Sequence, residues 1–242
     1  LRIIRFIRFS LKYKSEIDKT TIQAIKLNLN GIKKISKERI LTELFKILLI
    51  KNFIKLNNHE SLKEIFSLIF PEFKYLERLK KLNEISNQSY FNKKILLAIL
   101  LVDGTNNHEY FSHKYNISND LKESLNFLAN NFIKFHKNKN FFQKDLKKNI
   151  FYCGEKNLRI LNLINFSNNK KYKLQDFLKT SKIIQEISLP KFPFDGNYLK
   201  IRGVKEGIAI GQVLKLLENE WLNNDFKISD QKISQIINDR NN

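Results

Sequence analysis

Apolar side chains recur along this chain at spacings of three and four rather than two, the signature of helices with one buried face. That pattern predicts helices at residues 1 to 13, 19 to 29, 37 to 50, 60 to 69, 72 to 85, 92 to 102, 119 to 136, 142 to 151, 156 to 166, 173 to 187 and 207 to 223. No stretch keeps the strict alternation of a half-buried strand, so the fold class expected is all-α. The run Ile95 to Val102 is apolar throughout and reads as a core helix, too short to cross a bilayer. Pro71 is expected to start a helix, where its missing N–H costs nothing. Pro190 and Pro193 bracket the clearest linker, after Leu189.

Composition adds a partner class. With 42% apolar residues and 20 Phe, the 242 residues can build one large or two modest cores. Forty-four Lys+Arg against 24 Asp+Glu give a net charge of +20, with a pI near 9.8, which favours an anionic partner. Lysines cluster at Lys33 and Lys34, Lys93 and Lys94, Lys134 to Lys139, Lys144 to Lys148 and Lys170 to Lys173, several beside Phe135, Phe141, Phe142 or Tyr172. Those rings suit either stacking on unpaired bases or burial on the opposite helix face. Cys153 is alone, which excludes an internal disulfide and a cysteine zinc cluster and fits a reducing cytoplasm. His59, His108, His113 and His136 form no metal-binding spacing, and no metal site is assigned. No membrane partner is expected.

The few arginines are more informative. Arg2, Arg5 and Arg8 fall within Leu1-Arg2-Ile3-Ile4-Arg5-Phe6-Ile7-Arg8-Phe9 and cover about a third of a helix's circumference. In a chain this rich in Lys, surviving Arg points to a need for its planar fork of donors. A second segment, Ser36-Lys37-Glu38-Arg39-Ile40-Leu41-Thr42-Glu43-Leu44, starts with an N-cap candidate, Ser36, and a first-turn acid, Glu38. On spacing alone, Arg39 and Glu43 make an ordinary i,i+4 ion pair. A third segment, Phe192 to Phe226, holds Gly203, Gly207 and Gly211 at spacing four ahead of a helix ending near Trp221. Those glycines serve either close helix packing or an anion approaching backbone amides.

These three segments resemble the class II CCA tRNA nucleotidyltransferases and bacterial poly(A) polymerases. In that family a Glu-Asp-x-x-Arg motif reads the incoming base, the carboxylate accepting from its exocyclic amine and the arginine donating to its ring nitrogen. Leu1 and Arg2 match the motif's last two positions, Arg5 and Arg8 follow in register, and Phe9 closes the run. The resemblance implies a neck at 1-50, a helical body at 51-189 and a tail at 190-242. It implies that Arg2 reads the base, that Arg5 and Arg8 support the nucleotide pocket or the triphosphate, and that Arg39 and Glu43 brace the reading helix. Lys33, Lys34, Gly203, Gly207 and Gly211 are the RNA-contacting candidates.

The activity implied is transfer of CMP and AMP from CTP and ATP, with Mg2+, onto the 3′ end of tRNA. The family's catalytic head, with its glycine-rich turn and paired aspartates, has no counterpart here: Asp18, Asp103, Asp120, Asp145, Asp176 and Asp195 stand isolated. A chain without Met that begins inside a motif is expected to be a catalytically inactive portion of a longer enzyme. Poly(A) addition is the alternative within the family. A basic helical RNA-binding module without enzymatic parent, or a scaffold for acidic proteins, are the alternatives outside it.

Overall fold

The computed structural model describes residues 1–14, 17–85 and 91–241, and among them every regular element is helical. The elements divide into two compact units, Leu1–Glu186 and Ile187–Asn242. The residues expected to form neck and body, up to Glu186, thus share the first unit.

That unit opens with α1 (Arg2–Tyr13) and α2 (Lys19–Asn28), a 3-10 segment (Leu29–Lys34), α3 (Lys37–Leu48), a second 3-10 segment (Lys51–Asn58) and α4 (Glu60–Ile69). Asp18 caps α2 by accepting from the Thr21 amide at 2.7 Å. Ser36 stands at the N-cap of α3 in extended conformation, but its side chain makes no capping bond. A short 3-10 turn (Leu76–Arg78) and one-turn α5 (Leu79–Leu82) follow, then α6 (Lys93–Leu101), α7 (Asn107–Tyr115), α8 (Asn119–Lys137), α9 (Leu146–Cys153), α10 (Glu155–Asn168) and α11 (Leu174–Glu186). Asn92 caps α6, and Leu96 to Leu101 are buried all round, as a central core helix requires.

The expected helix over 72–85 is corrected. The chain turns at Pro71, and the buried residues Phe70, Phe73, Leu76, Leu79 and Leu82 repeat every three positions. A period of three matches the tighter 3-10 winding better than 3.6. Pro71 therefore sits in a turn rather than opening a helix. The pattern also gave no warning of α7, whose inward positions include the polar Asn107, His108 and Ser112. Two of the three are bonded: Asn107 Nδ2 donates to the Glu72 carbonyl at 2.9 Å, and Ser112 Oγ to the His108 carbonyl at 2.7 Å, whereas His108 Nδ1 is buried without a hydrogen-bond partner among the described residues.

The second unit holds α12 (Gly196–Ile201), α13 (Ile208–Asn223) and α14 (Asp230–Asn241). Leu199, Val204, Val213, Leu217, Ile233 and Ile237 form its core, with Phe192 and Phe194 packed against it. Neither α12 nor α14 was expected. Each puts few apolar residues inward, Leu199 in one and Ile233 and Ile237 in the other, too sparse a signal to read as amphipathic.

Candidate nucleic-acid interface

Helix α1 is built to be held. Ile4, Ile7 and Leu11 recur at spacings of three and four and are almost fully buried, and α1 packs on α3 along that side. Arg2 and Arg5 face solvent, and Arg8 is half-buried. The sequence offered Glu43 to Arg39 of its own helix, but the structure gives it to α1. Glu43 is 3% exposed, with Arg5 Nε and Arg8 Nε each at 3.4 Å and Lys46 Nζ at 3.1 Å from its carboxylate. Burial alone pushes the Glu43 carboxyl up, but the Lys46 hydrogen bond and the charges of Arg8, Lys46 and Arg5 outweigh it and hold the group below its ordinary range. Glu43 is thus an anionic rivet joining two arginines of α1 to α3.

Lys46 was not singled out from the sequence, although its i,i+3 spacing from Glu43 carried the signal. Arg39 is exposed and pairs with no carboxylate among the described residues.

Arg2 lines a cleft of about 740 Å³ between α1 and the segment from α2 through the first 3-10 turn. Ile3, Phe6, Ile25 and Ile32 give it apolar walls, and Thr21 and Asn28 add polar groups. A cleft with apolar walls and one guanidinium in its lining can hold a planar base and donate to it. Lys33 and Lys34 are exposed immediately beyond Ile32, in position to meet a phosphate backbone.

The glycines belong to the other unit. Gly203 and Gly207 have φ of +81° and +105°, backbone that a side chain would strain, whereas Gly211 lies inside α13. Gly207 is the N-cap of α13, so that helix begins where the sequence placed it.

The aromatic residues among the lysines are engaged within the protein. Phe141 is buried, and Phe135 meets it edge-on at 5.7 Å and Phe142 at 5.2 Å. The Tyr172 hydroxyl donates to Asn162 Oδ1 at 2.9 Å. No group of three His, Cys, Asp or Glu residues gathers into a metal site among the described residues, and no helix there is long and apolar enough to cross a membrane.

Residues 16–76 match the family described as the probable RNA and SrmB-binding site of polymerase A. RNA is the partner class this match supports. It connects the chain to poly(A)/CCA polymerase-like proteins and suggests nucleotidyltransferase parentage. The matched segment carries Lys33, Lys34, Arg39 and Glu43, while Arg2, Arg5 and Arg8 lie just before it, and Arg5 and Arg8 are tied to it by the Glu43 contacts. No curated protein matches the chain.

Proposed function

We infer that this chain is the RNA-holding portion of a template-independent nucleotidyltransferase acting on the 3′ end of tRNA, adding or repairing CCA from CTP and ATP in the cytoplasm. The observation that carries this reading is the Glu43 rivet. It fixes an arginine-bearing helix, whose first turn matches the end of a base-reading motif, to a segment matching an RNA-binding domain. In this reading Arg2 donates to the ring nitrogen of the incoming base, its fork entering from the edge of the apolar cleft. Arg5 and Arg8 give that helix its orientation through Glu43, and Arg39 adds positive charge to the exposed surface of α3. Lys33 and Lys34 hold RNA phosphates in the first unit; in the second, the backbone at Gly203 and Gly207 is the part open to a phosphate, since Gly211 lies inside α13 where its amide serves the helix.

Mg2+ would supply charge neutralisation of the triphosphate, but the described residues gather no acid cluster to hold it, so the resemblance assigns it to other parts of the parent enzyme. Poly(A) addition uses the same RNA-holding parts and is the second reading, favoured by the polymerase A description of the matched family.

The test is binding of the chain to tRNA lacking its CCA end, to a hairpin of equal length and to duplex DNA, each across a salt series. Preference for the tRNA that persists as salt rises supports the CCA reading. Equal and steeply salt-sensitive binding to all three overturns it, because counterion release alone then accounts for the affinity.

A further inference from the structure

Beyond Arg2, α1 exposes two aromatic rings that no role has yet absorbed. Phe9 is 46% and Tyr13 66% exposed. An exposed Phe followed four residues later by an exposed Tyr is an expensive pair to leave in water unless something covers it. The rings lie 6.2 Å apart between centroids and within 12° of parallel. Cations lie over them: the Arg8 guanidinium sits 4.7 Å from the Phe9 centroid, and Lys12 Nζ 5.3 Å from that of Tyr13. Parallel exposed rings with mobile cations over them match an unpaired nucleobase, which can take the cations' place on the ring faces while its phosphate pairs with them.

The placement along the helix strengthens the match. At 100° per residue, Phe9 and Tyr13 stand seven and eleven residues beyond Arg2 and within about 20° of its direction. All three therefore share one face, with the rings about 10 and 16 Å along the axis from the arginine. The opposite side of α1 is fixed by Ile4, Ile7 and Leu11, and its shoulder by Glu43, so this face has a defined orientation on the segment matching an RNA-binding domain.

We propose that Phe9 and Tyr13 form a stacking platform for an unpaired base of the bound RNA strand, in line with the base-reading position of Arg2. The proposal rests on the RNA-holding reading above. A strand whose end lies at Arg2 runs along α1 and places an upstream base on the two rings, while Arg8 and Lys12 meet its phosphates. The platform reads no base edge, so it tolerates any sequence and prefers single strands to duplex.

The experiment uses the full chain and two labelled RNA 12-mers, one all adenine and one abasic at every position, so that phosphate charge is equal. In the Phe9→Leu/Tyr13→Leu double variant, leucine keeps helix propensity at two exposed sites and circular dichroism checks that the helices remain. The expected result is an affinity for the adenine strand about 5- to 150-fold weaker, no change for the abasic strand and an unaltered salt slope. Lys12→Ala should instead weaken both strands and flatten the slope by about one counterion. Equal losses on both strands, or none on either, overturn the platform while leaving RNA binding intact. If the wild-type chain binds neither strand, the RNA-holding reading fails, and the platform with it.

Discussion

Replacing Glu43 by Gln tests the rivet with the least disturbance of shape, since the amide fills the same space and removes only the charge. Three cations converge on this carboxylate, at 3.4, 3.4 and 3.1 Å, but they are unequally shielded: the side chains of Arg5 and Lys46 are 51% and 47% exposed and that of Arg8 is 23% exposed. Hydrogen bonds to charged groups contribute about 1.5–3 kcal/mol when dry, and exposed ion pairs about 0.2–1 kcal/mol. Arg5 and Lys46 donate hydrogen bonds but are half exposed, and Arg8 makes an ion pair without a hydrogen bond, so the expected loss at neutral pH is about 1–2 kcal/mol. For a unit of this size that is a fall in melting temperature of about 2–8 °C, read by far-UV circular dichroism. The pH dependence gives a second readout. Because the folded-state pKa lies below the unfolded value, the contribution is present above the ordinary carboxylate range, near about 4.3, and is lost as pH falls through the lower folded value. Wild type and variant should therefore differ at pH 7 and converge in acid. A variant as stable as wild type at pH 7, or a gap that stays constant into acid, would refute the rivet and leave α1 held to α3 by apolar contact alone.

Other consequences are as direct. Leu217→Ala removes a fully buried side chain from the small core of the second unit and should cost about 2–5 kcal/mol; the chain's one tryptophan, Trp221, lies in that unit, and its fluorescence should report earlier unfolding in denaturant, an unmoved midpoint counting against the packing described. Burial pushes the Cys153 thiol up, with Lys134 opposing only in part, so a thiol reagent at pH 8 should label the native chain far more slowly than the denatured one; stoichiometric labelling of the folded protein would contradict that burial. Asn162 is fully buried, accepting from the Tyr172 hydroxyl and donating to the Phe177 carbonyl at 3.2 Å and to Ser181 Oγ at 2.9 Å, so Asn162→Leu should lower stability by about 1–3 kcal/mol, measured as a shifted urea midpoint.

How legible each element was in the sequence followed from what filled its inward positions. Where they were aliphatic, as in α1, α3, α6 and α13, the helix and its buried face could be read directly. In α7 the inward set at 107, 108, 111, 112 and 115 has ideal spacing, but three of the five are polar, and tertiary contacts such as that of Asn107 with the Glu72 carbonyl offset the burial. Between Phe70 and Leu82 the period shortens to three, which a search for 3.6 misreads as a slightly irregular α-helix. The site shows the same division. The arginine spacing was visible, but the partner of Glu43 was not: Arg39 and Lys46 both stand at helical spacing from it, and only packing of α1 on α3 adds Arg5 and Arg8. Phe9 looked like the end of a run, because a sequence does not say which aromatic residues remain in water.

The rivet also bears on how a chain of charge +20 could discriminate among nucleic acids. Lysines spread over a surface bind any phosphate backbone, and their contribution falls with salt whatever the sequence or shape of the partner. Placing a carboxylate against Arg5 and Arg8 works against that general affinity, since it offsets positive charge beside the place where RNA is expected. Such an arrangement is favourable only if orientation matters more there than attraction. A base-reading arginine has to hold its fork at one angle, and a stacking ring has to hold its plane; both angles are properties of α1 as a rigid rod. With Glu43 fixing the shoulder of α1 and Ile4, Ile7 and Leu11 its back, Arg2 is left without a carboxylate partner among the described residues, on the same face as Phe9 and Tyr13. On the proposed reading, the charge given up at Arg5 and Arg8 is recovered as geometry at Arg2, which predicts that Glu43→Gln raises affinity for duplex DNA at low salt while lowering the preference for single-stranded RNA over it. An increase for both ligands in equal proportion would mean that the carboxylate acts on charge alone.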